Sequence, residues 1–252
     1  MNDSARDMDG QVTVVIGGGG GLGEAICHRL ADAGSRVAVT YNTREQVARD
    51  LVAALAGDGH MVAQVAVEDS AALADLAARI DGEYGRVDVL VNCAGVTRFV
   101  PHDDLDALDD ELIDRIFRIN CRGTIAGIRA FKSALAAGDG GLVVNISSIA
   151  GLTGNGSNVA YCASKAAVNS MTVSLARALA PKIRVVSVSP GLVDTELAKN
   201  FDPVWRADQI DKTPLKSLAS PDDVGKAVVA VATHLTFTTG AIIPVDGGRP
   251  IA

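Results

Sequence analysis

"VVIGGGGGLGEA", Val14–Ala25, runs from β-branched residues through five consecutive glycines into a segment of helix formers. A strand that ends in glycines and passes at once into a helix implies a tight turn whose backbone must approach something closely. The helix start beyond it offers free N–H groups and the positive end of the helix dipole, a combination suited to a pyrophosphate. The register within the run is open. Gly18, Gly20 and Gly23 fit GxGxxG, while Gly17, Gly21 and Gly23 fit GxxxGxG, with Leu22 at the helix start in both. A merely flexible loop is the competing reading, and the placement between strand and helix favours nucleotide binding.

Outward from this turn, short β-branched runs alternate with helical segments along nearly the whole chain. Strands are expected in "QVTVVI", "RVAVTY", "MVAQVAV", "VDVLVNCAG", "GLVVNIS", "IRVVSVSPG" and "AIIPVDGG". Helices are expected over 21–33, 44–56, 71–84, 108–135, 158–179 and 221–234. Strands that are apolar on both faces and separated by helices imply parallel βαβ units. The expected fold is therefore α/β, one doubly wound (Rossmann) parallel sheet of about seven strands with helices on both faces. No repeat, linker or composition shift divides it, so residues 1–252 read as a single dinucleotide-binding and catalytic domain, with 1–10 flexible.

Composition narrows the function. Hydrophobic residues make up 48% and charged residues 21%, the balance of a packed domain. A net charge of −7 argues against nucleic acid and against an acidic membrane surface as partners. No secretion signal and no long apolar run is seen, so the expected location is cytoplasmic. Cys27, Cys93, Cys121 and Cys162 lack ligand-like spacing and read as free thiols, with no metal site.

A second stretch carries the chemistry. In "YCASK", Tyr161–Lys165, tyrosine and lysine are four apart and share a helix face. An ammonium about 4 Å from a phenolate is worth about 4 kcal/mol at an effective dielectric near 20. That suffices to bring a phenol from about 10 towards about 7, where it exchanges a proton at neutral pH. A nearby serine hydroxyl would hold a substrate oxygen.

Together these motifs resemble the short-chain dehydrogenase/reductase family over nearly the whole length, from about Val12 to Gly248. The resemblance selects Gly17, Gly21 and Gly23, and matches "NCAG" (Asn92 to Gly95, with Ala94), Asn120, Pro190, Gly191, Thr195 and the terminal "VDGG". It implies a catalytic set of Asn120, Ser148, Tyr161 and Lys165, with Ser148 preferred over Ser147 by its interval of thirteen residues before the tyrosine. In that set Tyr161 is the acid/base, Lys165 lowers its pKa and binds the nicotinamide ribose, Ser148 holds the substrate oxygen, and Asn120 anchors a relay water or merely kinks its helix. Thr195 and the backbone at Val193 would fix the carboxamide. Two positions depart from the family pattern. Ile16 replaces the threonine before the first glycine, so a hydrogen bond bracing that turn is expected to be lost. Ala66 replaces an aspartate near the adenine, leaving Val67 for backbone and apolar contact.

At the end of the second strand Tyr41 stands where an NAD-selecting carboxylate would be, followed by Asn42, Thr43 and Arg44. NADP(H) is therefore the expected cofactor, with NAD(H) possible. The segment 195–217 is the expected substrate lid, with Leu197, Phe201, Trp205 and Ile210 either roofing an apolar site or packing at a subunit contact. The pattern looks closest to 3-oxoacyl-acyl carrier protein reductases, which implies a carbonyl or alcohol substrate, possibly a thioester, and a homotetramer built through the two long helices and the last strand. The acidic "AGDGG" before the serine-bearing strand counts against an acidic carrier protein. An alcohol or sugar dehydrogenase, or a non-catalytic dinucleotide-binding regulator, are the alternatives.

Overall fold

The computed structural model describes residues 7–195 and 202–251. Seven parallel strands form one sheet: β1 (Val12–Ile16), β2 (Arg36–Tyr41), β3 (Met61–Gln64), β4 (Val89–Asn92), β5 (Gly141–Ile146), β6 (Ile183–Pro190) and β7 (Ile242–Val245). Their order is β3-β2-β1-β4-β5-β6-β7. The direction of winding reverses between β1 and β4, which opens a crevice at the carboxyl ends of those two strands, where ligands of such sheets bind.

The period of two along each strand sends neighbouring apolar residues to opposite faces. Val14, Leu90, Val143 and Val185 pack on one side with Leu73 and Ile80 of α3 (Ser70–Tyr84), Phe131 and Leu135 of α5 (Gly123–Ala136), and Ala176 of α7 (Val159–Leu179). Val15, Val91, Val144 and Val186 pack on the other with Ile26 and Leu30 of α1 (Leu22–Asp32), Leu51 of α2 (Glu45–Ala54), and Val224 and Val228 of α9 (Pro221–Thr233). Each such fully buried side chain contributes roughly 1.5–3 kcal/mol of transfer free energy. Met8 joins the second cluster at 0% exposure, and its N–H bonds the Ala33 carbonyl. Residues 7–10 are thus core and turn, not the loose tail expected from their polar composition; residues 1–6 lie outside the described residues.

Helix ends follow local chemistry. Asp69, Asp109 and Asn158 cap α3, α4 (Asp110–Ile116) and α7 with side-chain oxygens, and Ser220 forms a reciprocal capping box with Asp223 ahead of Pro221 in α9. The expected single helix over 108–135 is wound differently in its middle. Between α4 and α5, residues Phe117–Arg122 form a π-turn in which the Gly123 N–H reaches back to the Arg118 carbonyl. A short α6 (Ala150–Thr153), not anticipated, follows β5, and α8 (Pro203–Asp211) lies within the expected lid.

α1 and α9 lie side by side. Arg29 pairs with Asp222, with Nη2 to Oδ2 at 2.8 Å, and Arg29 and Lys226 hold the Asp222 carboxyl down to about 2. Closest approach is at Gly225, where a Cβ would lie 2.9 Å from the Ala25 carbonyl oxygen. Gly225→Ala is expected to push the two helices apart and cost about 1–3 kcal/mol. A drop in urea midpoint at unchanged slope would verify this; an unchanged midpoint would refute the contact.

Candidate active site

The glycine turn resolves its own register. Gly21 caps α1 at φ 54° and ψ −119° with no side-chain cap, a conformation that a Cβ would strain. At Gly23 a Cβ would stand 2.3 Å from the Gly17 carbonyl oxygen, so only glycine lets the first turn of α1 close on the end of β1. Gly17 in turn packs on Ala94 beyond β4. The glycines that the backbone requires are those of GxxxGxG.

Ile16 has no hydroxyl to brace the turn, as expected, and a residue of the neighbouring strand makes a bond to it instead. The Gly17 N–H donates to Thr40 Oγ1 at 3.0 Å. Thr40, buried in β2, braces the turn from the neighbouring strand, and Ile16 instead packs its Cδ1 against Gly127 of α5. The sequence offered no signal for this, because the brace is a cross-strand contact and not a neighbour in the chain.

A cleft of about 440 Å³ opens over the turn. Of the expected cofactor residues, Gly17, Leu22, Gly23, Tyr41, Asn42, Thr43, Arg44, Val67, Ala94 and Gly95 line it. The Arg44 guanidinium lies against Gly20, with Nη2 2.9 Å from where a Cβ would be. Asn92 is turned away into the core, where its Nδ2 donates to Asn145 Oδ1 at 2.9 Å. Pro190 and Gly191 close the end of β6, the Gly191 N–H bonding the Val245 carbonyl, and Val193 bridges to Ala219. Thr40, Val65, Glu68, Cys93, Val96, Arg115 and Ile119 also line the cleft and were not anticipated. Arg115, in the last turn of α4, stands four residues before Ile119 of the π-turn, and that helical spacing is the signal that would have found the last two.

Beside the cleft lies the polar cluster. Asn158 starts α7 by accepting the Tyr161 N–H at 2.7 Å, and its Nδ2 donates to the Arg98 carbonyl. Tyr161 is half-buried. One turn on, Lys165 is 6% exposed, donates from Nζ to the Ile146 carbonyl at 2.8 Å, and sits 5.7 Å from the Tyr161 ring centroid. Asn120 Oδ1 accepts the Val96 N–H at 2.8 Å, while its Nδ2 donates to the Val96 carbonyl and to Ser164 Oγ. Lys165 Nζ and Asn120 Oδ1 both approach Gly95. Ser147 is buried and donates to the Lys165 carbonyl, whereas Ser148 is only half-buried and accepts the Ala150 N–H. Burial pushes the Cys93 thiol up to about 11 despite the opposing Lys165 charge, so it stays protonated at neutral pH.

Of the expected lid, Leu197 and Phe201 lie outside the described residues. Helix α8 is held by Arg206 to Asp194 at 2.8 Å and by Gln209 to Arg249 at 3.3 Å. Trp205 is 41% exposed.

Fold, glycine turn and Tyr-Lys pair define a class, and comparison with known proteins bears on it directly. A family model described as enoyl-(acyl carrier protein) reductase matches residues 17–249. The chain belongs to the short-chain dehydrogenase/reductase family, oxidoreductases that act on alcohol and ketone groups with a nicotinamide dinucleotide. It is 38% identical, over 94% of its length and 95% of the relative's, to a protein of Streptomyces violaceoruber named as ketoacyl reductase 2 of the granaticin polyketide synthase. It is 36% identical, over 94% and 96%, to cis-4-hydroxycyclohexanecarboxylate dehydrogenase of Sinomonas cyclohexanicum. Among solved structures, a glucose/ribitol dehydrogenase of this family from Brucella melitensis superposes with a TM-score of 0.91 at 27% identity, covering 98% of this chain and 99% of that one.

If Thr40 Oγ1 braces the turn, Thr40→Val leaves the Gly17 N–H unpaired and should cost about 1–3 kcal/mol. Thr40→Ser should recover most of it. Equal denaturation midpoints for the valine variant and the unaltered protein would remove the brace from the account.

Proposed function

We propose that this oxidoreductase is an NADP(H)-dependent ketoreductase acting on a 3-oxoacyl-type carbonyl, through Tyr161, Lys165, Ser148 and Asn120. The observation that carries the reading is the buried Lys165 ammonium, one turn from Tyr161 and 5.7 Å from its ring, at the edge of a cleft shaped by glycines. The residues present fit a dinucleotide. Gly17 and Gly23 let the turn close tightly, the Cβ position at Gly21 is open space at the uncapped α1 start, and Arg44 supplies a cation. Gly17, Gly21, Leu22, Gly23 and Arg44 would hold the phosphates and ribose; Ala94, Gly95, Pro190, Gly191, Val193 and Thr195 would frame the nicotinamide end, with Asn92 acting only from the core through Asn145. When bound, the dinucleotide supplies the hydride.

The chain's own residues handle the proton and the geometry. Ser148 Oγ donates a hydrogen bond to the substrate oxygen and so favours the charge that develops on it. Tyr161 gives its hydroxyl proton to that oxygen in reduction and takes one back in oxidation. The Lys165 ammonium favours the resulting phenolate. The Tyr161 phenolate regains its proton by way of Lys165, and Asn120, at the π-turn, holds the end of a relay that replaces the Lys165 proton from solvent.

Tyr41 in place of a carboxylate, with the Arg44 guanidinium lying on Gly20, supports NADP(H) over NAD(H). The ketoacyl reductase relative supports a 3-oxoacyl substrate, including a thioester. The cyclohexane alcohol dehydrogenase relative supports a second reading, oxidation of a cyclic secondary alcohol. Exposed Phe117 in the π-turn, Ile125 on α5 and Val173 on α7 fit a homotetramer. A cytoplasmic location fits an enzyme with no described helix long and apolar enough to cross a membrane.

Tyr161→Phe should lower kcat by about 10²–10⁴-fold while NADPH still binds; near-normal turnover of acetoacetyl-coenzyme A or a cyclic alcohol would sink the assignment. Arg44→Ala should weaken NADPH by about 10- to 100-fold and leave NADH little changed, as expected for the loss of charge-assisted hydrogen bonds to a phosphate. Equal losses for both cofactors would reverse the NADP(H) choice.

A further inference from the structure

The cleft has two chemically different ends. At one, the Arg44 guanidinium lies on the glycine turn, a place for phosphate. At the other, beside Glu68, lies a stiff apolar surface: Val65 and Val67 are 6% exposed and Ile119 is 9% exposed. Val67 is seated against Gly123, where a Cβ would meet both its methyls at 2.9 Å, so the wall has no slack. A flat aromatic ring fits such a surface on one face and needs a cover on the other.

Arg115 is placed to supply the cover. It lies in the last turn of α4, is exposed, and lines this cleft four residues before Ile119. A local partner is within helical reach, since Glu111 stands four residues earlier and Glu–Arg pairs at that spacing are favourable. Yet the Arg115 side chain makes no ion pair or hydrogen bond among the described residues, and it borders the cleft instead. The planar guanidinium, weakly hydrated, stacks on aromatic faces in a way that an ammonium does not.

We propose that Arg115 is a positioning residue for the adenine base, its guanidinium closing over the outer face of the ring while Val67 and Ile119 support the inner face. The inference rests on the dinucleotide reading above. It assigns the two arginines separate tasks: Arg44 reads the 2′-phosphate, and Arg115 grips the base that both cofactors share.

Fluorescence titration of the full chain with NADPH and with NADH separates the two. Arg115→Ala should raise both dissociation constants by the same factor, between about threefold and thirtyfold, and should weaken 2′,5′-ADP equally while leaving reduced nicotinamide mononucleotide unchanged. Arg115→Lys keeps the charge without the plane and should remain weakened. Unchanged affinities, a loss confined to NADPH, or full recovery with lysine would each overturn the assignment. Failure of the unaltered protein to bind either cofactor would overturn the dinucleotide reading and this inference with it.

Discussion

One buried carboxamide holds the working parts of this molecule in register. Asn120, 1% exposed, grips both polar groups of the Val96 peptide and also donates to Ser164. Three elements meet there: the loop leaving β4, the π-turn between α4 and α5, and α7 with its Tyr-Lys face. A buried amide left unpaired costs several kcal/mol, so these elements cannot drift apart singly without exposing or orphaning it. The irregular winding of Phe117–Arg122 follows from the same constraint, because a side chain aimed sideways at Val96 sits where the helix departs from its regular ladder.

Around that anchor the sheet acts as a rigid ruler. Alternation along β1, β4, β5 and β6 fills both faces with valine and leucine, so the strands cannot slip by one residue without turning a core outward. Chemistry is thereby confined to the carboxyl ends, where side chains leave the alternation: Gly17 after β1, Tyr41 closing β2, Ala94 after β4, Ser148 after β5 and Pro190 closing β6. A chain of net charge −7 presents two guanidinium groups, Arg44 and Arg115, against the single carboxylate of Glu68 in the lining of the cleft over the glycine turn. That local inversion of sign is what an acidic protein needs in order to hold phosphates.

Much of the fold was legible from periodicity. Every strand and nearly every helix fell within a few residues of its expected span, because parallel strands buried on both faces give uninterrupted apolar runs. Candidate residues were legible where spacing carries them, as with Tyr161 and Lys165, or where a backbone needs glycine, as with Gly21 and Gly23. Less visible were Met8 in the core, Thr40 beneath the glycine turn, and Arg115 on the far wall. Each acts on a residue remote in the chain, and no local pattern reports a contact made across a sheet.

The sequence by itself determined the α/β class, the glycine turn, the helical pair of tyrosine and lysine, and the family to which they belong, since these depend on neighbours within a few residues. Tertiary structure alone decided what braces the turn in place of a local threonine, how deeply each of the two adjacent serines is buried, and which arginines line one cleft. The physical reason is range. Backbone conformation and helix faces are set by local sterics and spacing, whereas hydrogen-bond partners and cavity walls are set by which strands and helices pack together.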